Sequence, residues 1–154
     1  MTHLTEPHGT ELVNLIVDPD RARVLIEAAK NLPSHTLSLR QICDLELLMN
    51  GGFSPLKGFM TREAYESVVQ TMRLPGGILW PIPIVLDVPD HISGKLSIGD
   101  QLALRDTEGF MLAVLNIEEI FRPDKMAEAE KVYGTTSREH PGVHHLLEEI
   151  HETY

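Results

Sequence analysis

The chain has 154 residues, 42% apolar and 23% charged, the balance of an ordinary globular protein and enough length for one domain with a real core. Its net charge of −10, from 23 acidic and 13 basic residues, repels phosphate backbones and disfavours nucleic-acid binding through a basic surface. No apolar run approaches the roughly 20 residues of a membrane-spanning helix, and the polar stretch Met1–Gly9 does not read as a signal peptide. The single cysteine, Cys43, excludes an intrachain disulfide and fits a reducing, cytoplasmic compartment. Its place inside a predicted helix suggests a buried structural thiol.

Residues 1–10 are expected to be loose. Leu12–Val17 reads as a short strand. Asp18 then caps a helix with Pro19 in its first turn, and Val24, Leu25, Ala28, Ala29 and Leu32 fall on one face before Pro33 stops it. Ser38 opens a second helix, with Gln41 completing a capping box. Ile42, Leu45, Leu48 and Met49 form its apolar stripe, and Asn50-Gly51 ends it. Thr61 is the expected cap of a third helix, with the stripe Ala64, Tyr65, Val68, Val69 and Met72.

The pattern then turns to β. Ile78–Val88 is β-branched and interrupted by Pro81 and Pro83, which predicts an edge or bulged strand. Gln101–Arg105 alternates, Asp106–Gly109 is a hairpin turn, and Phe110–Ile117 returns. Several short strands with tight turns suggest a small barrel. Pro123 begins a helix through about Lys131, and a last one runs from Pro141 to about Glu152.

The stretch with most chemical interest is Gly51-Gly52-Phe53-Ser54-Pro55-Leu56-Lys57-Gly58-Phe59-Met60. Its glycines and lysine invite a phosphate reading. A Walker loop, however, requires Gly-x-x-x-x-Gly-Lys followed by Ser or Thr, between a strand and a helix. Here Lys57 is followed by Gly58 and Phe59, and a helix precedes, so the motif fails on residues and on context. What remains is an unusually apolar turn. Of the eight histidines, His3 and His8 lie near the start and His35 and His91 in loops, while His140, His144, His145 and His151 crowd the C-terminal segment beside Glu148, Glu149 and Glu152. On a helix, His144, Glu148 and His151 would share a face and could hold a divalent metal; a solvated polar helix explains the same residues. No nucleophile–base pair is identifiable, and Ser54 and Ser137 have no partner histidine in a recognised motif.

The run Leu37-Ser38-Leu39-Arg40-Gln41-Ile42-Cys43-Asp44-Leu45-Glu46-Leu47-Leu48, the stretch Gly51–Met60, Leu79-Trp80-Pro81-Ile82-Pro83-Ile84, Leu86-Asp87-Val88, Gly99-Asp100 and Tyr133-Gly134-Thr135-Thr136 with Glu139-His140-Pro141-Gly142-Val143 together resemble the N-terminal region of ATP sulfurylase (sulfate adenylyltransferase). The resemblance covers residues 12–145. It implies an α+β fold, a small PUA-like β-barrel with flanking helices, over residues 11–134, and a C-terminal helix and start of a linker over 135–154. It also implies a parent reaction, ATP plus sulfate giving adenosine 5′-phosphosulfate and pyrophosphate with Mg²⁺, in sulfur metabolism.

In that family the catalytic signature, Gln-x-Arg-Asn-Pro-x-His-x-x-His, belongs to a later domain, and this chain has no such run. Nor does it hold a Walker loop for the adenylylsulfate kinase that some members carry. The expectation is therefore an excised or truncated non-catalytic domain, inactive alone, with no catalytic, cofactor-binding or metal residues of its own. Its partner would be the catalytic domain of the same polypeptide, met by Phe53, Leu56 and Phe59; a homo-oligomer stays open. Two other classes remain at this point, a PUA-type RNA-binding module, which the charge opposes, and a metal- or partner-binding scaffold using His140, His144 and His151.

Overall fold

The computed structural model describes residues 6–9 and 11–154; most of the stretch expected to be loose, and His3 with it, lies outside them. In chain order these residues form α1 (Pro19–Ala28), a 3-10 turn (Ala29–Asn31), β1 (Ser34–Thr36), α2 (Leu39–Asn50), α3 (Arg62–Thr71), α4 (Asp90–Ser93), β2 (Gln101–Arg105), β3 (Met111–Asn116), α5 (Lys125–Tyr133) and α6 (Pro141–His144), which runs into a π-helical turn, His145–Glu149. The chain divides into two compact units. One comprises the chain up to Phe59 with Gln101–Leu115, the other Met60–Asp100 with Asn116–Tyr154.

In the first unit α1 begins as its sequence predicts. Asp18 Oδ1 accepts from the backbone N–H groups of Asp20 and Arg21, both at 2.9 Å, with Pro19 in the first turn. Its predicted apolar face is only partly used. Ala29 is buried and Leu25 and Leu32 half-buried, but Val24 is 56% exposed. The capping box at α2 is complete, with Gln41 N–H donating to Ser38 Oγ at 3.3 Å and Ser38 N–H donating to Gln41 Oε1 at 2.9 Å. Leu45 and Leu48 are buried. Cys43 is exposed, against the expectation of a buried thiol, because helical geometry turns position 43 away from the face that carries Gln41, Leu45 and Leu48.

Regular pairing forms a three-stranded sheet in the order β1-β2-β3. β1 and β2 are parallel, with His35 opposite Leu104. His35 therefore lies buried in a strand rather than in the loop expected from sequence. Leu102, Ala103 and Leu104 are all buried in succession, so β2 is covered on both faces. The turn after β2 is built on one side chain: Asp106 Oδ1 accepts from Glu108 N–H at 3.0 Å and Phe110 N–H at 2.8 Å, and Gly109 takes φ 90°. The strand expected at Leu12–Val17 is not formed. The segment is held by Val13 N–H on Ser54 Oγ and by Leu15 N–H on Met49 O. A side chain and a helix end offer single acceptors, not a ladder.

In the second unit α3 buries Tyr65, Val68 and Val69 as its spacing predicts. Thr61 makes no side-chain cap; the Glu119 carboxylate takes its place, accepting from Arg62 N–H at 2.9 Å, an anion at the positive helix end. Met72, read as the last residue of the stripe, instead ends the helix at φ 55° and is 46% exposed. Ile78–Val88 does not form the predicted strand, since Pro81 and Pro83 remove two donors. Only isolated bridges, Arg73–Leu79 and Val88–Thr153, remain. Trp80, Ile84, Leu86 and Val88 are nonetheless buried, although Ile82 is 43% exposed. His91 sits on α4 rather than in a loop, and α5 starts at Lys125 after Asp124, whose Oδ1 accepts from Ala127 N–H at 3.0 Å. Val143 and Leu146 pack on Ala129, joined by Tyr133, Leu147 and Ile150. A Cβ at Gly142 would lie 2.6 Å from the Tyr133 ring, which is why the helix entry needs glycine there.

Two backbone hydrogen bonds at the start of α1, that from Arg21 first, hold the Asp18 carboxyl below its ordinary pKa. A folded-state pKa below the unfolded one stabilises the fold above the unfolded value of about 3.9. That contribution is lost as pH falls through the folded value. Asp18→Asn keeps an equally good cap that does not titrate. Thermal melts should show the wild type losing more stability than Asp18→Asn between pH 5 and about pH 2.5, with the two indistinguishable near neutrality.

Candidate functional site

The Gly51–Phe59 stretch is a knot of short bonds around the end of α2. Gly51 ends the helix at φ 86° and ψ 7°, a conformation that glycine alone adopts without cost. Phe53 N–H reaches back to Leu47 O at 3.0 Å, Ser54 N–H to Gly51 O at 3.0 Å and Leu56 N–H to Phe53 O at 2.9 Å. Gly52 N–H bonds Asn50 Oδ1 at 2.9 Å. The Ser54–Pro55 peptide is cis.

Ser54 is the pin of this turn. It is 2% exposed; its hydroxyl donates to Gly51 O at 2.6 Å and accepts from Val13 N–H at 3.0 Å. Sequence reasoning weighed Ser54 only as a nucleophile and missed this role. The available signal was its place two residues after a helix-ending Gly-Gly pair, where serine commonly bonds nearby backbone.

The three residues expected to meet another domain differ in burial. Leu56 is 8% exposed, while Phe53 and Phe59 are half-buried. Lys57 and Arg40 are exposed. The desolvated, half-buried carboxyl of Asp44 is pushed above its usual pKa, against the pull of Arg40 one turn earlier.

The C-terminal histidines are not brought together as a ligand set. The final helix is broken: α6 passes into a π-helical turn that ends at Glu149, and Ile150 is extended. The expected register of His144, Glu148 and His151 is thereby lost. Glu148 pairs with Arg138, His145 Nδ1 lies 2.6 Å from Glu149 Oε2, and His151 is fixed through its N–H on Asp87 Oδ2 at 2.9 Å. His140 lies against Tyr133, the rings tilted by 42° with centroids 5.2 Å apart. The hydrogen bond from His145 is the main cause of a lowered Glu149 pKa. Among the described residues no three His, Cys, Asp or Glu side chains are grouped so as to hold a metal ion.

The second unit has a buried polar centre that sequence reasoning did not single out. Glu128, 5% exposed, accepts from the Tyr65 hydroxyl at 2.8 Å and lies 3.5 Å from that of Tyr154. Burial, with the Glu128 charge next, raises both phenols above the ordinary tyrosine range. The rings of Tyr65, Phe121 and Tyr154 meet pairwise at 5.4, 5.8 and 5.9 Å, and Arg62 lies 5.1 Å over the Phe121 ring. Lys125, 7% exposed, spans Ile150 O at 2.9 Å and Glu152 Oε1 at 2.8 Å. These groups hold a fold together; none is arranged as a nucleophile with its base.

Residues 5–154 match the family model described as a PUA-like domain, and the chain belongs to that family. Its relatives narrow the class. It is 48% identical to the sulfate adenylyltransferase of Candida albicans, over 96% of this chain and 30% of that protein. It is 44% identical to that of Synechococcus sp., over 93% of this chain and 36% of the relative. Among solved structures, the hexameric APS kinase from Thiobacillus denitrificans superposes with a TM-score of 0.71 at 44% identity, over 79% of this chain and 24% of that one. The chain thus spans about a third of the length of the relatives it matches.

Gly51→Ala should be costly. The new Cβ would sit 2.6 Å from Leu12 Cδ1 and 2.8 Å from Val13 O, on top of the roughly 1–2 kcal/mol of left-handed backbone. A fall in Tm of at least about 4 °C is expected by scanning calorimetry. Tyr65→Phe should cost about 1–3 kcal/mol in urea unfolding, because it removes a donor from a buried carboxylate.

Proposed function

We propose that this chain is the non-catalytic PUA-like domain of a sulfate adenylyltransferase, the enzyme class that joins ATP and sulfate to give adenosine 5′-phosphosulfate and pyrophosphate. The observation that carries this is identity of 41–48% to sulfate adenylyltransferases over 96–98% of the chain, within only 30% of each relative. A match at this identity over nearly the whole chain reflects a shared domain rather than one shared motif.

In the reaction a sulfate oxygen attacks the α-phosphorus while the bond to the pyrophosphate breaks. Positioned groups neutralise the charge that develops on the leaving group, with ATP and Mg²⁺ supplied in the catalytic part of the parent. In this reading the residues of this chain brace that part. Phe53 and Phe59 keep apolar surface for the contact, and the buried Leu56 stiffens the turn that presents them. Self-assembly is part of the proposal, supported by a structural neighbour described as hexameric. So is a cytoplasmic location, which suits an exposed lone thiol.

Two measurements test the reading. The purified chain should release no pyrophosphate from ATP and sulfate above background. Exchanged for the matching segment of the Candida albicans enzyme, it should support activity, and Phe53→Ser with Phe59→Ser should lower that activity about tenfold or more (a contact loss of roughly 1.4 kcal/mol or above) while the Tm of the chain alone stays within a few degrees. Turnover by the chain alone, or an inactive exchange product whose grafted domain is folded, would refute it.

A further inference from the structure

Asn50, the last residue of α2, is exposed and stands directly before Gly51. Its side-chain Oδ1 accepts from Gly52 N–H at 2.9 Å. That bond closes a ring over the Asn50–Gly51 peptide, so Cγ is held on the side of the chain where the Gly51 nitrogen lies. It also aims a backbone donor at the one oxygen on which negative charge would collect if Cγ were attacked. Gly51 carries no side chain to shield its nitrogen. The other asparagines, Asn14, Asn31 and Asn116, are followed by Leu15, Leu32 and Ile117, whose branched side chains obstruct the same approach. The junction also matters to the turn that follows it. Leu15 N–H bonds Met49 O before the junction and Val13 N–H bonds Ser54 Oγ after it, while Phe53 N–H reaches across it to Leu47 O.

We infer that Asn50 is a self-modification site, an asparagine that its own backbone converts to aspartate and isoaspartate. The Gly51 nitrogen gives its proton to solvent and attacks Asn50 Cγ, and Gly52 N–H holds the oxyanion that forms on Oδ1. The bond from Cγ to Nδ2 then breaks, and that nitrogen leaves as ammonia with a proton returned by solvent. Water opens the resulting five-membered imide. Attack at Cγ gives aspartate. Attack at the backbone carbonyl gives isoaspartate, in which the chain runs through the side chain and is longer by one methylene. Water is the only co-reactant, and nothing is oxidised or reduced. Either product adds a negative charge at the C-terminal end of α2, where the helix dipole opposes it. Isoaspartate does more, because the bonds on the two sides of the junction cannot all be kept when the chain between them lengthens. The turn that carries Phe53 and Phe59 is thereby loosened. Loss of their contact in the parent enzyme rests on the function proposed above; the chemistry at Asn50 does not.

Peptide mapping by mass spectrometry of the 154-residue chain, aged in mildly alkaline buffer, tests it. The mass gain of amide-to-acid conversion should accumulate at Asn50 about tenfold or more faster than at Asn14, Asn31 or Asn116, with release of ammonia and with isoaspartate among the products. The rate in the folded chain should equal or exceed that in a synthetic peptide of residues 47–56, which has the same Asn-Gly pair without the fixed Gly52 donor. The isoaspartate fraction should melt below Asn50→Asp, which carries the same charge on an unlengthened backbone. The proposal is overturned if Asn50 converts no faster than the other asparagines, if the folded chain converts more slowly than the peptide, if aspartate forms without isoaspartate, or if the isoaspartate fraction melts with Asn50→Asp. Because no turnover is measured, a failure here is distinct from a failure of the sulfurylase reading.

Discussion

A buried carboxylate organises the second unit. Glu128 sits on α5 at 5% exposure, where an unsatisfied charge would be prohibitive. The Tyr65 hydroxyl approaches from α3 and that of Tyr154 from the end of the chain. Each tyrosine brings a ring that packs on Phe121. The polar requirement and the apolar payload are therefore met by the same side chains, and α3, α5 and the segment at Tyr154 meet at one carboxylate oxygen.

The first unit is tied by a comparable device on a smaller scale. Gly51 turns the backbone left-handed at the end of α2, which leaves its carbonyl open to Ser54, and Ser54 in turn captures the N–H of Val13. One hydroxyl thus fastens the first extended segment to the glycine turn. The apolar residues that made this turn conspicuous are graded. Leu56 is buried, while Phe53 and Phe59 keep part of their surface. The turn is thus anchored inward by Leu56 and still presents part of Phe53 and Phe59 outward.

Much of the local architecture was legible. The caps at Asp18 and Ser38, the stripe of α2, the strand Gln101–Arg105 and the turn at Asp106–Gly109 all stand where sequence places them, because each is decided by neighbours within a few positions. The misreadings share a cause. Leu12–Val17 and Ile78–Val88 have strand-like composition, but a strand also needs a partner edge, and prolines or single acceptors deny it. His35 looked like a loop residue because its parallel partner, Leu104, lies far along the chain. The metal reading of His144, Glu148 and His151 assumed an unbroken helix, and the π-helical turn followed by the extended Ile150 removed that register.

The sequence by itself determined the family, the absence of a Walker loop, the helix caps and the identity of the apolar turn, since all of these are written in short runs of residues. Only the tertiary structure decided that Ser54 pins the glycine turn, that Glu128 is a buried centre, and that Thr153 and Tyr154 bond to Val88 and Phe121. The physical reason is sequence separation. Val13 and Ser54 are 41 positions apart and Tyr65 and Glu128 are 63 apart. Local propensity does not register a hydrogen bond across such a distance; burial and geometry create it.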